Sequence, residues 1–143
     1  MKNILVDTDF WLAINNPNDK YHKKAMTWLI DNQDASYRFV TTWIVMCESF
    51  FLIKNLVSYQ KAVDLFESYS RSEFDIFDLR KEESSRVITI MKKYEDLDID
   101  LADVSLVVLA EQLNTGDILT VDNNDFNALR WNRNKQFKKL LHL

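Results

Sequence analysis

The chain contains a single glycine, Gly116, so neither a P-loop nor a G-x-G-x-x-G dinucleotide fingerprint can be written anywhere in it. Its one cysteine, Cys47, excludes an internal disulfide and a cysteine-based zinc centre. The two histidines, His22 and His142, stand far apart and form no H-E-x-x-H pattern. Cys–His or Ser–His–Asp catalysis would have to recruit one of them, and neither has a suitable setting. Apolar stretches such as Ile4-Leu5-Val6 and Phe50-Phe51-Leu52-Ile53 fall far short of the ~20 residues that span a bilayer. Met1-Lys2-Asn3 leads straight into a strand-like run with no apolar signal region, so the expectation is a soluble cytoplasmic protein with no membrane partner. The single proline, Pro17, sits in the polar loop 15–19, and there is no repeat, low-complexity segment or linker.

What remains is ordinary for a folded chain. The 143 residues are 47% hydrophobic, 13% aromatic and 28% charged, enough apolar material for one core and too much for disorder. We therefore expect one domain over residues 1–143. With nucleotide loops, thiols and histidine pairs removed, any catalysis falls to carboxylates and a hard cation.

The run 3–8 is aliphatic and then polar, which suits a buried strand. Residues 21–32 carry Ala25, Trp28 and Leu29 at helical spacing, and 37–41 alternates as a second strand. Thr42 is placed to cap a helix running to residue 54. Residues 58–69 read as another helix, 74–79 as a third strand, 81–94 and 101–113 as helices, the last ended by Gly116, and 117–122 as a fourth strand. This alternation predicts an α/β fold, a three-layer sandwich with a mainly parallel central sheet. Ligands of such sheets collect beyond the carboxyl ends of the strands, where Asp7, Thr41-Thr42 and Asp122 fall.

Four acids stand out because their neighbours are apolar: Asp7 and Asp122 closing strands, Glu48 within 43–53, and Asp103 within 101–110. Each has a plain structural role open to it: a cap for Asp7, a solvated edge for Glu48, the helix dipole for Asp103, a turn for Asp122. A buried carboxylate costs several kcal/mol unless it is paired or holds a cation. No lysine or arginine adjoins any of the four, and all-oxygen ligation selects Mg²⁺ or Mn²⁺ over zinc.

Ile4-Leu5-Val6-Asp7-Thr8 resembles the opening of PIN domains, and Thr41-Thr42 with Glu48 is similar to their second acidic position. Leu101-Ala102-Asp103-Val104-Ser105-Leu106 resembles their third, and Leu119-Thr120-Val121-Asp122-Asn123-Asn124-Asp125-Phe126 their closing segment. The resemblance covers essentially the whole chain and extends to the VapC-type toxins of bacterial toxin–antitoxin pairs. It implies a metal-dependent endoribonuclease in which Asp7, Asp103 and Asp122 ligate Mg²⁺ or Mn²⁺ and Glu48 binds the metal or orients the water. Thr8 and Thr120 would support the carboxylates. Asp9, where Ser or Asn is commoner, adds a further charge. Either Asp122 or Asp125 completes the site, and Asp122 is favoured. The implied partners are an RNA substrate such as tRNA or another structured RNA, a cognate antitoxin and a second copy in a homodimer.

A net charge of −4 argues against indiscriminate nucleic-acid binding. Arg130, Arg133 and Lys135, with Lys138 and Lys139, nevertheless give the tail five bases between residues 130 and 139, with Trp131 among them as a stacking candidate. Lys20, Lys23 and Lys24 form a second cluster, and Trp11, Trp28, Trp43, Phe50 and Phe51 exceed what a small core obviously needs. Two other readings fit part of the pattern. Asp7-Thr8-Asp9 matches the opening of haloacid-dehalogenase-type phosphatases, with Asp7 as nucleophile and Asp9 as acid/base. A non-catalytic PIN-like module that binds RNA or protein needs only the fold.

Overall fold

The computed structural model describes residues 1–121 and 123–142. Strand β1 (Lys2–Val6) carries Ile4, Leu5 and Val6, all fully buried. A strand covered on both faces belongs at the centre of a parallel sheet. It pairs in parallel with β2 (Tyr37–Thr42) on one side and β4 (Asp117–Leu119) on the other. β3 (Asp75–Phe77) extends the sheet beyond β2, and β7 (Lys138–Lys139) beyond β4, giving the order β3-β2-β1-β4-β7 with every pairing parallel. The chain steps one way from β1 through β3 and then returns across β1 to β4. Right-handed crossovers made in opposite directions put helices on both faces, the expected three-layer α/β/α sandwich.

The helices follow their caps. Asp7 caps α1 (Thr8–Asn15) by accepting from the Thr8 N–H at 2.8 Å. This helix has no counterpart among the elements expected from the sequence. α2 (His22–Asp31) follows, and Thr42 caps α3 (Trp43–Leu56), accepting from the Val45 N–H. Ser58 caps α4 (Tyr59–Ser70). The stretch expected as one helix from residue 81 begins with a 3-10 turn, Lys81–Glu83, and continues as α5 (Ser84–Lys93). α6 (Leu101–Leu113) buries nine consecutive residues, 102–110. A helix apolar on every side is one that runs through the core, and that is where Asp103 and Ser105 lie.

Two expectations are corrected here. The end of α6 is made by Asn114, in the left-handed conformation at φ 52°, and not by Gly116. Gly116 instead lets the Trp131 indole lie against the backbone: a Cβ at this position would collide with Trp131 Nε1 and stand 2.7 Å from its Cε2. Trp131, a base-stacking candidate by sequence, is accordingly buried. The basic tail is structured. After the short helix α7 (Asp125–Ala128), β5 (Arg130–Trp131) and β6 (Lys135–Gln136) form an antiparallel hairpin, and β7 closes the sheet edge. No helix of the described residues is long and apolar enough to cross a membrane.

Candidate functional site

The direction of chain progression reverses between β1 and β4, and crevices at such reversals are where α/β sheets bind ligands. Asp7 is the first residue beyond β1. Its backbone N–H donates to the Leu119 carbonyl at 3.0 Å, while one carboxylate oxygen caps α1 and the other is left for the crevice. The cap role and the site role are thus both filled by Asp7. Thr120, fully buried just beyond β4, places its hydroxyl 3.3 Å from Asp7 Oδ2 and 3.0 Å from Asp9 Oδ2. A single hydroxyl proton serves one of these at a time. Asp9 also accepts from the Val121 N–H at 3.1 Å. Its carboxylate therefore ties α1 to the segment leaving β4.

Glu48 and Asp103 reach the same crevice from α3 and α6. A buried relay fixes their relation: the Val45 N–H donates to the Thr42 hydroxyl, the Thr42 and Ser105 hydroxyls are 2.8 Å apart, and the Ser105 hydroxyl donates to the Ala102 carbonyl at 2.7 Å. With the Ser105 proton spent on the carbonyl, Thr42 donates to Ser105, and the chain runs in one direction from the first turn of α3 to that of α6. Thr41 adds a further tie, donating to the Val6 carbonyl at 2.9 Å.

Two groups that sequence reasoning misses complete the picture. Asp100 is the N-cap of α6, accepting from the Asp103 N–H, and its carboxylate also lines the crevice. The spacing D-x-x-D before an apolar run is a readable cap signal. Asn123 donates its amide to Asp7 Oδ2 at 3.1 Å and to Asp103 Oδ1 at 2.8 Å, while its own Oδ1 accepts from the Asp125 N–H at 3.0 Å. Its sequence context suggests a turn and no more. The chemistry of an amide bridging two carboxylates is not visible in a run of Asn and Asp.

The resulting cleft has a volume of about 370 Å³ and gathers Asp7, Asp9, Glu48, Asp100, Asp103 and Asp125, with no lysine or arginine among its described walls. Burial, reinforced by the charges of Asp9 and Asp103, pushes Asp7 well above the ordinary carboxylate range. Burial is also the main reason that Asp103 is pushed up to about 7; Asp100 adds repulsion, and the Asn123 amide opposes the rise. Glu48 is raised by partial burial and by Asp100. The expected burial of the acids applies to Asp7 and Asp103 and fails for Glu48, which is exposed at the rim because α3 turns that face to the cleft mouth. The Thr8 hydroxyl is buried without a partner in hydrogen-bonding geometry, yet close enough to Glu48 to favour its charged form. Asp122, the favoured fourth acid, lies outside the described residues.

Carboxylates crowded together, with the charged forms of Asp7 and Asp103 disfavoured by burial and repulsion, are the donor set that a hard cation satisfies. Among the described residues no three acid, histidine or cysteine side chains already form a metal-binding group. The Asn123 amide instead supplies the positive edge between Asp7 and Asp103. The residues fit a metal by chemistry: all-oxygen donors, converging from separate elements, without a competing base.

The tail bases stand elsewhere. None of Arg130, Arg133 and Lys135 lines the cleft. Arg130 Nη1 donates to the carbonyls of Asn127, Ala128 and Leu129, closing α7. Lys135 lies over the Trp131 ring at 4.9 Å. Lys23 and Lys24 line a different hollow with Trp28. A larger cavity of about 560 Å³ mixes apolar residues such as Trp11, Phe39 and Phe74 with Asp64, Glu67 and Glu73, and unlike the cleft it has a base, Arg71, in its wall.

The sequence model of the PIN domain family matches residues 4–132. Ribonuclease VapC26 of Mycobacterium tuberculosis is 26% identical over 127 residues, covering 89% of this chain and 92% of that protein. In fold, the chain is similar to the crystal structure of Mycobacterium tuberculosis VapC20, described as a sarcin–ricin loop cleaving toxin, with a TM-score of 0.74, 16% identity, and coverage of 85% of this chain and 91% of that one. It is also similar to the DNA-bound VapBC2 of Rickettsia felis, with a TM-score of 0.65, 13% identity, and coverage of 96% and 98%.

Proposed function

Since this chain belongs to the PIN domain family, we propose that it is a metal-dependent endoribonuclease of the VapC toxin type, hydrolysing phosphodiester bonds of RNA. The observation that carries the reading is the cleft at the β1–β4 reversal, where acids from α1, α3, α6 and the segment after β4 meet without a base. The likeness to a curated ribonuclease across nine-tenths of its length supports the choice of RNA.

Asp7 and Asp103 would hold Mg²⁺ or Mn²⁺, Glu48 would bind the ion or orient the water, and either Asp122, which is favoured, or Asp125 is proposed as the further ligand. When bound, the ion supplies Lewis acidity that activates water and neutralises charge on the scissile phosphate. The chain's own residues do the rest. Thr120 fixes the orientation of Asp7 and Asp9, and the Thr42–Ser105 relay fixes the separation of Glu48 and Asp103. Glu48, at the rim and raised by partial burial and by Asp100, is placed to orient incoming water and take a proton from it. The Asn123 amide bridges the Asp7 and Asp103 carboxylates and restrains the orientation of both.

The proposed partners are a structured RNA, a cognate antitoxin and a second copy of the chain. The antitoxin is supported by structural neighbours solved as VapBC complexes. The phosphatase reading is disfavoured because it leaves Glu48 and Asp103 without roles, although both line the same cleft as Asp7 and Asp9. The test is cleavage of total cellular RNA by purified protein in Mn²⁺ or Mg²⁺ against chelator, beside an Asp103→Asn variant prepared identically. Metal-dependent cleavage that disappears in the variant is expected. Equal cleavage by both proteins, or none by folded antitoxin-free protein, refutes the proposal.

A further inference from the structure

A second polar hollow, of about 500 Å³, shares no wall with the acidic cleft and has the opposite charge. It lies between α5, the far part of α6 and the turn of the β5–β6 hairpin, and its walls hold Arg86, Lys93 and Arg133 against one acid, Glu111. Glu111 organises the hollow. It accepts from Arg86 Nε and Nη2, both at 2.8 Å, and from the backbone N–H of Asn132 at 2.7 Å. One carboxylate thereby fixes a guanidinium and anchors the hairpin turn beside it. Two of the five Arg86 donors are used in this way. The turn itself is unusual: Asn132 and Arg133 have φ of 44° and 77°, a region that favours glycine. An arginine held there brings an exposed cation to the same rim as Lys93.

The hollow is also placed usefully. Asp103 is on the first turn of α6 and Glu111 eight residues further along, so at ~1.5 Å per residue Glu111 stands ~12 Å further along the same helix axis. A strand whose reacting phosphate sits at the acids needs cations for phosphates further along, since an acidic cleft repels the rest of the backbone.

We propose that the Arg86–Lys93–Arg133 hollow is a phosphate-binding subsite for the RNA strand, engaging backbone phosphates away from the scissile bond. It explains how a chain of net charge −4 holds a polyanion: the attraction is concentrated on one hollow. The proposal rests on RNA being the substrate class, and its test is read without cleavage.

End-labelled total cellular RNA is titrated with the full chain in EDTA and its retention on filters measured across a salt series. The wild type is compared with Lys93→Gln/Arg133→Asn, in which Asn tolerates the left-handed backbone, and with Lys92→Gln, a neighbouring charge loss outside the hollow. The double variant is expected to bind several-fold more weakly, with a log–log salt slope shallower by ~1.4, or ~0.7 for each single-strand phosphate that is no longer neutralised. Lys92→Gln is expected to match the wild type. An unchanged slope in the double variant, an equal loss in Lys92→Gln, or no retention by wild type overturns the subsite. Hollow-dependent retention by protein that never cleaves in metal would remove the ribonuclease reading and leave the subsite standing.

Discussion

Asp103→Asn should make the metal-free protein more stable, in a manner set by pH. The folded chain carries this carboxyl from an ordinary 3.8 up to about 7. Between those values the folded state binds the proton and the unfolded state does not. Stability therefore falls as pH rises through the interval and is level above it. At ~1.4 kcal/mol per tenfold change in the proton equilibrium, the full shift corresponds to ~4 kcal/mol. Water entering the cleft screens the charge, so about half, ~2 kcal/mol, is the working figure. Asparagine keeps an acceptor for the Asn123 amide and sheds the charge, which also relieves Asp7. For a chain of this size ~2 kcal/mol moves Tm by about 4–8 °C. Thermal unfolding followed by circular dichroism in EDTA should show that rise at pH 8 and almost none at pH 4. Adding Mn²⁺ should then stabilise the wild type, by ~2.7 kcal/mol at a hundredfold excess over Kd, and leave the variant nearly unmoved. A variant no more stable at pH 8, or equally stabilised at pH 4, would refute the account of the cleft as an uncompensated anionic site.

Three further perturbations follow from other contacts. Gly116→Ala forces a Cβ into the Trp131 indole and should cost ~1–3 kcal/mol, read as a lower urea midpoint; an unchanged midpoint would contradict the packing described. Thr42→Val removes both the α3 cap and the donor to Ser105. It should cost ~1–2 kcal/mol and depress cleavage by more than the unfolded fraction explains, whereas full specific activity would show the relay to be irrelevant to the cleft. Asp9→Asn keeps an acceptor for the Val121 N–H and should leave metal-dependent RNA cleavage within about tenfold of wild type; complete loss would count against the assignment of roles.

The central strands and the long helices are legible because their burial is written as aliphatic runs: Ile4-Leu5-Val6 suits an inner strand, and 101–110 a core helix. Thr42 announces the start of α3 by its cap chemistry. α1 escapes because its eight residues follow a strand without a break, and the residue that starts it, Asp7, draws attention by its charge before its capping. Gly116 suggests a helix stop because glycine favours that position, but the demand on it is spatial and comes from Trp131, fifteen residues later. Asn123 and Glu111 are invisible for a related reason. Their importance lies in whom they bridge, Asp7 to Asp103 and Arg86 to the hairpin turn, and bridges between distant segments leave no local pattern.

The order of the sheet has a consequence for how the chain comes into being. β1 is made before every other strand, yet one of its two neighbours, β4, is made after more than a hundred further residues, and the amide that spans Asp7 and Asp103 follows β4. A chain emerging from the ribosome therefore carries Asp7 and Glu48, linked through the β1–β2 pairing, and then Asp103, before the strand that brings the third acid against the first has been made. Parallel pairings between remote segments form late. The cleft is a product of completion: a polypeptide stalled short of β4 lacks it, and the cell meets the assembled acids only once β4 and the residues after it have emerged and closed the sheet.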